Sequence, residues 1–496
     1  MKLTTICNAI SGNIIECQGD LNKEITGATS DSRAISPGYL FCAMKGARQD
    51  GHDFIEAALA KGAGAILAER KCVLPDGIPC VIIKNPYQVL GMVAETIAGK
   101  PAANLKLIAV TGTNGKTTTA YLMRSILKAC GKSTGMIGTV EYDLGDGTKI
   151  EADRTTPTPF TLQELFSKIR DNAAEFTVIE ASSHALEQGR LGTALCDVAI
   201  FTNLTQDHLD YHINMDNYFA AKRLLFSKHL APNGTAVINA DDQYGSKLAS
   251  DLKDGHLLAF SFKDAPNANV KIRGLSLEAK GSSFRMLFPD GSEWDAVTRL
   301  PGAYNAANVA GTLCAAYALG LPRQSVLDAI SASHGAPGRM QPVSVPGQDF
   351  AVYVDYAHTD DALRNVLTAL GSLPHNRLCA VFGCGGDRDR TKRPLMGKAA
   401  AELADLLYVT SDNPRTENPD DIIREILNGI PFDTPYQAIT DRKTAIFEAI
   451  ASAKPGDIIL IAGKGHEDYQ EINGVKHHFN DCETALEALQ KRFARK

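Results

Sequence analysis

The amino-acid sequence predicts an α/β chain of three domains with mostly parallel sheets. Its 496 residues correspond to about three domains at roughly 150 residues each. Short apolar runs typical of buried strands alternate with stretches of helical periodicity, which indicates parallel sheets covered by helices. Segments containing Gly and Pro lie near residue 102 and at residues 335–343. We therefore expect domains over residues 1–102, 103–337 and 338–496.

The first domain is predicted from short strands and a helix. The runs "YLFCAM" and "PCVIIKNP" are typical of strands, and "DFIEAALAKGAGAILAE" predicts a helix, a Gly turn and a strand. This alternation indicates a small α/β domain.

The second domain opens with the buried strand "LKLIAV", which runs into "TGTNGKTTT" and a helix that ends at Gly131. The runs "FTVIEASS", "VAIFTNLT" and "TAVINADD" add strands to a mostly parallel sheet. The segments "LLAFSF" and "VKIRGLSLEAKGSSFRMLF" predict an antiparallel appendage, and "AYNAANVAGTLCAAYALG" predicts a helix.

The third domain is predicted to be a Rossmann-like αβα sandwich. Its strands are "FAVYVDYAH", "LCAVFGCGG", "LLYVTSDNPR" and "DIILIAGKG", with helical stretches between them. Ligands of α/β sheets bind at the carboxyl ends of the strands, so the polar loops that follow these runs are candidate binding loops.

The composition is that of a folded protein without a nucleic-acid or membrane partner. Hydrophobic residues make up 44% and charged residues 22% of the chain, and the net charge is −6. This balance argues against nonspecific nucleic-acid binding. The cysteines include no CxxC pair, which favours a reduced, cytoplasmic protein. We see neither the apolar core of a signal peptide nor the roughly 18 apolar residues of a membrane span.

The segment "TGTNGKTTT" predicts a phosphate-binding loop, because it follows a strand and opens a helix. Backbone N–H groups at a helix N-terminus bind phosphates, a Lys reaches between them, and a Thr hydroxyl holds Mg²⁺. The alternative is a tight turn with an exposed Lys. The general pattern has Gly where this chain has Val110, and no NKxD motif is present, which argues against GTPases and nucleotide switches. The candidate residues are Gly112, Thr113, Asn114, Gly115, Lys116, Thr117 and Thr118.

Three further side chains of the second domain are metal-site candidates. Glu180 ends a strand beside the loop, where a carboxylate suits Mg²⁺, although a helix cap or a salt bridge is the alternative. His208 follows the next strand and either joins the metal site or is structural. Lys222 lies among apolar residues, where a buried charge is costly. It either snorkels or pairs with a carboxylate, or it reacts with CO₂ to give a carbamate that binds metal.

Arg415, in "SDNPRTENP", follows an apolar run of the third domain. It is either a solvated loop charge or a fork that binds a substrate carboxylate through two parallel hydrogen bonds.

Motifs along the whole chain resemble those of the Mur ligase family, in the same order. They include "GTNGKTTT", "EASSHALEQGR", "TNLTQDHLDYH", "AAKRLLFS", "GAYNAANVAG", "GAPGRM" and "DYAHTDDAL". The runs "FGCGGDRDRTKRP", "SDNPR" and "AGKGHEDYQ" resemble those of members that add 2,6-diaminopimelate. L-lysine-adding Mur ligases and folylpolyglutamate synthases share the phosphate loop but do not need "DNPR".

The resemblance implies an ATP-dependent amide ligase of peptidoglycan precursor synthesis. Such an enzyme joins meso-2,6-diaminopimelate to the D-Glu side-chain carboxyl of UDP-N-acetylmuramoyl-L-Ala-D-Glu through an acyl phosphate. It uses ATP, two Mg²⁺ ions and CO₂ as a carbamate on Lys222, and we expect a cytoplasmic monomer. The first domain would bind UDP, the second would be the P-loop ATPase, and the third would bring the amino acid.

The resemblance also assigns residues by position. The catalytic residues would be Lys116, Glu180, His208 and Lys222. The metal ligands would be Thr117, Glu180, His208 and the carbamate of Lys222. The phosphate loop would be joined at ATP by Asn305, Arg339, Asp355 and His358. The UDP-muramoyl dipeptide would contact Ser30, Ser32, Ala47, Arg48, Gln49, Arg154, Thr155, Thr156, Ser182, Gln188 and Arg190, with Arg154 replacing an expected Asn. Diaminopimelate would contact Arg388, Asp412, Asn413, Pro414, Arg415, Gly463 and Glu467.

Overall fold

The computed structural model describes residues 1–46, 49–252 and 256–493. The chain divides into two compact units. The first comprises Met1–Phe260 with two short returning segments, and the second comprises most of the chain from residue 269 onward. The predicted α/β architecture is confirmed, whereas the boundaries of the three domains stay a prediction. Within the described ranges, no helix is both long and apolar enough to cross a membrane.

The first unit begins with a five-stranded sheet in the order β1-β5-β4-β3-β2. Only the β1–β5 pair among these neighbours is antiparallel. Leu40, Leu67 and Val81 are fully buried beneath the helices. The strands are Ile14–Gln18 (β1), Gly27–Thr29 (β2), Tyr39–Ala43 (β3), Ala65–Ala68 (β4) and Cys80–Ile83 (β5), and the helices are Leu3–Ala9 (α1), Ile55–Ala60 (α2) and Pro86–Ile97 (α3).

The rest of the first unit is a larger sheet in the order β13-β12-β11-β6-β10-β7-β8-β9. It is parallel from β13 to β7 and antiparallel beyond. Its strands are Lys106–Thr111 (β6), Thr134–Ile137 (β7), Glu141–Asp143 (β8), Lys149–Glu151 (β9), Phe176–Glu180 (β10), Cys196–Phe201 (β11), Leu230–Asn239 (β12) and Leu257–Ser261 (β13). Its helices are Lys116–Ala129 (α4), Pro159–Asp171 (α5), Ser183–Glu187 (α6), Leu209–His212 (α7), Met215–Lys228 (α8) and Gln243–Asp251 (α9).

Close backbone packing joins the two sheets of the first unit. A Cβ on Gly91 of α3 would lie 1.9 Å from the Gly189 carbonyl oxygen, so only glycine fits there. Nearby, the buried Glu95 carboxylate accepts hydrogen bonds from the Thr193 backbone N–H at 2.7 Å and from the Thr193 hydroxyl at 2.8 Å. These contacts fix one sheet against the other.

The second unit contains an antiparallel β14-β15-β16 meander and a six-stranded sheet in the order β17-β18-β22-β19-β20-β21. The short edge strands β17 and β21 add to the predicted set. The strands are Val270–Glu278 (β14), Gly281–Leu287 (β15), Glu293–Thr298 (β16), Gln341–Pro342 (β17), Ala351–Asp355 (β18), Leu378–Phe382 (β19), Leu406–Val409 (β20), Tyr436–Ala438 (β21), Ile458–Ala462 (β22), Tyr469–Ile472 (β23) and Val475–His478 (β24).

Helices cover both faces of the six-stranded sheet, as predicted for an αβα sandwich. The apolar side chains of α12, α13 and α14 pack on one face and those of α15 and α16 on the other. The helices of the unit are Ala303–Ala318 (α10), Arg323–Ala332 (α11), Asp360–Gly371 (α12), Lys392–Leu403 (α13), Pro419–Leu427 (α14), Arg442–Ser452 (α15) and Asp481–Phe493 (α16).

A buried ion pair joins α15 to α16 beneath the loops of this sheet. Arg442 and Asp481 have fully buried side chains and form two hydrogen bonds of 2.7 Å. Arg442 also donates to the carbonyl oxygens of Ser411 and Ala462, at 3.3 and 2.9 Å. One guanidinium therefore holds the starts of two candidate binding loops.

Replacing Arg442 by Met should lower the free energy of opening this sheet by about 3–5 kcal/mol, because Asp481 would remain buried without its partner. Hydrogen exchange of the β22 amides measures this local free energy. The matched control is Lys443→Met, which removes an exposed pair with Glu487 and should cost about 1 kcal/mol or less. Equal losses in the two variants would contradict the role given to Arg442.

Candidate active site

The phosphate loop lies where β6 meets α4, and glycines shape it. Gly115 has a φ of 86° and precedes the first helical residue, Lys116. A Cβ on Gly112 would lie 1.9 Å from the Thr202 hydroxyl of the neighbouring strand end, which explains why this shorter loop has Gly at that position. The Lys116 amine donates to the carbonyl oxygens of Gly112 and Thr113, at 2.9 and 2.8 Å.

Polar side chains hold the rest of this loop. The Asn114 backbone N–H donates to the Asn203 side-chain oxygen at 3.0 Å. Thr117 and Thr118 are buried at the start of α4. The loop thus has a fixed shape at the helix N-terminus, where anions are favoured.

Glu180, at the end of β10, is fully buried beside the loop. Its carboxylate accepts the Thr117 hydroxyl at 2.8 Å, the Thr139 backbone N–H at 2.9 Å and the Thr139 hydroxyl at 3.0 Å. The Thr139 hydroxyl also lies 3.1 Å from that of Thr155. Carboxylate and hydroxyl oxygens are the donors that Mg²⁺ prefers, so this cluster fits the predicted metal.

The Lys222 amine, on α8, is also buried next to the loop. It donates to the Gly112 carbonyl oxygen at 2.8 Å and lies 4.6 Å from the centre of the Tyr218 ring. Burial, together with the charge of Lys116, holds the pKa of the Lys222 amine well below its usual range. A neutral amine is the form that adds to CO₂, so the environment fits the predicted carbamate.

His208 lies at the N-terminal end of α7 with an exposed side chain and a φ of 52°. Its Nδ1 is 3.6 Å from the Asp207 carboxylate, and its ring meets the Tyr218 ring edge-on at 6.1 Å between centres. The structure therefore brings His208 and Lys222 next to the same tyrosine ring.

The predicted muramoyl-dipeptide residues form a network around Thr156. The Thr156 hydroxyl donates to the Glu180 carbonyl oxygen at 2.6 Å and lies 3.2 Å from the Ser182 hydroxyl, which caps α6. Arg190 donates to the Thr156 carbonyl oxygen at 2.6 Å and to the Gln188 side-chain oxygen at 2.8 Å. Burial, and next the charge of Arg154, lowers the pKa of Arg190. Two guanidinium groups close together favour an anionic ligand.

The predicted uridine residues lie in the first sheet's loops. Ser30 follows β2 and is exposed, and Ser32 opens a short 3₁₀ helix and is half-buried. Gln49 is exposed, and its carbonyl oxygen accepts the Gly46 N–H at 2.9 Å. Ala47 and Arg48 lie outside the described residues.

The remaining predicted ATP residues belong to the second unit. Asp355 ends β18 and accepts the backbone N–H groups of Met340 and Ala357, at 2.7 and 2.9 Å. Burial raises the pKa of Asp355, and the Arg339 charge acts in the opposite direction. Arg339 and His358 both lie against the Tyr356 ring, at 5.3 and 4.7 Å from its centre.

Asn305 is buried at the start of α10, where its amide donates to the Pro301 carbonyl oxygen at 3.0 Å. This hydrogen bond to the segment just before α10 holds the Asn305 side chain in place.

The loop after β20 contains the predicted amino-acid residues and is largely buried. Within the described parts of the chain, Asp412 Oδ2 is a buried oxygen without a hydrogen-bond partner. A Cβ on Gly463 would lie 2.6 Å from this oxygen, so the glycine leaves room beside it. An unpaired buried carboxylate oxygen is costly and suits a cationic ligand.

Asn413 is fixed by three partners in the same loop cluster. Its side-chain oxygen accepts the Lys464 amine at 2.9 Å and the Glu471 N–H at 3.0 Å, and its amide donates to Glu467 at 2.9 Å. Lys464 is fully buried and also lies 3.0 Å from the Glu467 carboxylate.

Arg415 is half-buried and has a left-handed backbone with a φ of 49°. Its Nε lies 3.2 Å from the Glu471 carboxylate, and its Nη1 donates to the Gly386 carbonyl oxygen at 2.7 Å. Among the described residues, Nη2 has no hydrogen-bond partner. The guanidinium is therefore oriented by the protein and keeps one donor group for a ligand.

The loops after β19 and β20 are clamped together. A Cβ on Gly386 would lie 1.9 Å from the Pro414 carbonyl oxygen. The Asp387 carboxylate accepts the Thr416 hydroxyl at 2.8 Å, and the Asp387 N–H donates to Glu417 at 2.6 Å. Arg388, the next residue of the first loop, is exposed.

Several residues of the site were not predicted. The Tyr218 hydroxyl lies 3.2 Å from that of Thr113, while its ring contacts Lys222 and His208. The Tyr-x-x-x-Lys spacing on one helix face was the available signal. Lys464, inside "AGKGHED", was also not predicted. Nor was Thr139, which follows β7 and belongs to no motif.

Comparisons with known proteins agree with this arrangement. Three family models match successive parts of the chain: the Mur ligase family catalytic domain at residues 24–106, the Mur ligase middle domain at 110–316, and the Mur ligase glutamate ligase domain at 338–465. A UDP-N-acetylmuramoyl-L-alanyl-D-glutamate--2,6-diaminopimelate ligase of Bacillus licheniformis is 42% identical over 99% of both chains. One of Trichormus variabilis is 45% identical over 95% of both chains.

Solved structures of Mur ligases are also similar to this chain. The structure of a UDP-N-acetylmuramoyl-L-alanyl-D-glutamate--2,6-diaminopimelate ligase is 34% identical, with a TM-score of 0.73 over 99% of both chains. MurF from Acinetobacter baumannii shares the fold at 19% identity, with a TM-score of 0.57 over 100% of this chain and 99% of that one. Three of these relatives are 42%, 45% and 34% identical to this chain over nearly its whole length, which shows that the chain belongs to the Mur ligase family.

Proposed function

We propose that this chain is the ligase that joins meso-2,6-diaminopimelate to the D-Glu side-chain carboxyl of UDP-N-acetylmuramoyl-L-alanyl-D-glutamate, with conversion of ATP to ADP and phosphate. The observation that carries the proposal is the Asp412–Arg415 loop. It combines a buried, unpaired carboxylate oxygen with an oriented guanidinium. A diamino diacid offers the matching ammonium and carboxylate. The domain boundaries, the cytoplasmic location and the monomeric state expected above belong to the same proposal.

The first step transfers the γ-phosphoryl group of ATP to a D-Glu carboxylate oxygen, with ADP as the leaving group. The phosphate loop positions the nucleotide, and the Lys116 amine exchanges its loop carbonyls for phosphate oxygens. Arg190 and Arg154 offset the charge of the nucleotide sugar. Bound Mg²⁺ would reduce the repulsion between the reacting anions, and the residues to hold it are Thr117, Glu180, His208 and the carbamate of Lys222.

The second step forms the amide. The neutral amine of diaminopimelate attacks the acyl carbon, the C–O bond to phosphate breaks, and the amine loses a proton. Asp412 accepts hydrogen bonds from an ammonium group of the substrate, and Arg415 binds the distal carboxylate. Exclusion of water protects the acyl phosphate from hydrolysis.

The carbamate on Lys222 is part of the proposal. The neutral amine forms an N–C bond to CO₂ and releases one proton, which converts a buried base into an anion. The lowered pKa of the Lys222 amine supports this reaction, because the protonated form has no lone pair to donate.

A panel of amino acids tests the function as a whole. With ATP and UDP-N-acetylmuramoyl-L-alanyl-D-glutamate, phosphate release should be fast with meso-diaminopimelate. The kcat/KM for L-lysine should be about 10⁴-fold lower, because a buried site built for a carboxylate rejects an analogue without it. Equal rates with L-lysine would assign the chain to the lysine-adding ligases, and reaction only with a folate and L-glutamate would assign it to folylpolyglutamate synthases.

The change Arg415→Ala should raise the KM for diaminopimelate about 100-fold, since the charge-assisted contact of the guanidinium with the distal carboxylate is lost. The KM for ATP should stay unchanged. Arg424→Ala, an exposed arginine of α14, is the control and should leave both constants as they are. An unaltered KM for diaminopimelate in the Arg415 variant would remove this residue from the site.

The change Lys222→Ala should abolish turnover and leave the binding of the nucleotide sugar intact. Wild-type protein equilibrated with ¹³CO₂ should show a carbamate resonance in ¹³C NMR, and the variant should lack it. Lys228→Ala, at the exposed end of the same helix, is the control and should keep both activity and resonance. Full turnover in the Lys222 variant would leave this lysine a structural role only.

A further inference from the structure

A cavity of about 330 Å³ lies in the second unit, and none of the residues proposed for ligation lines it. Its wall comes from the β14–β15 turn, the end of β16, the loop after α11, and the segment from residue 342 to residue 353. The volume is at the lower end of the roughly 300–1,000 Å³ of small-molecule sites. The residues that matter here are Lys280, Arg299, His334, Pro342, Val345 and Tyr353.

Two cations at this cavity have no acidic partner among the side chains that the structure describes. The Lys280 amine donates to the Gln348 carbonyl oxygen at 3.0 Å, and Arg299 Nη1 lies 3.4 Å from His334 Nε2. None of the salt bridges between described side chains includes either cation. By contrast, Arg285 of the same meander is paired with both Glu293 and Asp295.

The electrostatics around His334 agree with a positive cavity. Burial, and next the charge of Arg299, lowers the pKa of the His334 imidazole. The chain as a whole carries a net charge of −6, so two unpaired cations at one cavity depart from the average surface. Such a local field attracts anions.

The cavity also offers apolar surface. Pro342, Val345 and Tyr353 belong to its lining. The Tyr353 hydroxyl already donates to the Ala279 carbonyl oxygen, so its hydrogen is not available to an anionic ligand. A ligand that uses both features has an apolar body and one anionic group.

We propose that this cavity binds a small organic anion, with its carboxylate or phosphate group held by Lys280 and Arg299 and its apolar body against Pro342, Val345 and Tyr353. The site is separate from the residues proposed for ligation. Its occupancy is therefore measured without turnover, and failure of either proposal leaves the other standing.

NMR of the full chain with ¹⁵N-labelled histidine tests the site. Phenyl phosphate, benzoate and inorganic phosphate are titrated in turn, with phenol as the uncharged probe, and His334→Gln assigns the resonance. Phenyl phosphate or benzoate should shift the His334 imidazole signals saturably and raise the His334 pKa, because the bound anion offsets the Arg299 charge. The tighter of these two probes identifies the anionic group. Phenol should give no saturable shift.

Variants separate this site from general charge effects. Arg299→Gln and Lys280→Gln, both exposed positions, should each weaken binding about tenfold. Lys271→Gln, an exposed cation of β14 outside the lining, is the matched control and should bind like the wild type. The proposal is overturned if neither phenyl phosphate nor benzoate shifts His334 saturably, if Arg299→Gln binds as tightly as the wild type, or if inorganic phosphate matches phenyl phosphate.

Discussion

The Gly112 carbonyl oxygen sets the chemistry of the first unit, because it accepts hydrogen bonds from two lysine amines. Lys116 and Lys222 approach this oxygen at 2.9 and 2.8 Å, from the phosphate loop and from α8. Burial of the Lys222 amine, and next the charge of Lys116, lowers the pKa of Lys222. The two amines thus lie in different environments, since Lys116 belongs to the phosphate loop and Lys222 is buried beside it on α8.

In the second unit, buried and half-buried cations are instead paired with acidic or carbonyl groups. Lys464 stays buried because Asn413 and Glu467 both accept its amine, and Arg415 is oriented by Glu471 and a carbonyl oxygen. In the described loop, these pairings leave Asp412 Oδ2 as an acceptor and Arg415 Nη2 as a donor without protein partners. The specificity of the loop then depends on which ligand can form hydrogen bonds with both of these groups.

Much of this arrangement could be predicted from sequence because strand ends are readable. The polar residues after the apolar runs ending at Thr111, Glu180 and Val409 lie at the carboxyl ends of strands, as predicted. The edge strands β17 and β21 were missed, since they are short and are not buried. Thr139 and Arg442 were also missed, because their partners come from distant parts of the chain and no local pattern records such contacts. Tyr218 was missed although its spacing from Lys222 on one helix was a local signal.

The left-handed backbone of Arg415 shows how far the loop is built around one guanidinium. A non-glycine residue with a φ of 49° is uncommon, and its cost must be met by surrounding contacts. Here the Arg415 N–H donates to the Glu471 carbonyl oxygen at 3.0 Å, and its own carbonyl oxygen accepts the Asn473 N–H at 2.7 Å. Glycine would relieve the backbone but remove the fork, and lysine would keep the charge without the planar pair of donors. The strained backbone of Arg415 is therefore the conformation that orients its guanidinium in the loop.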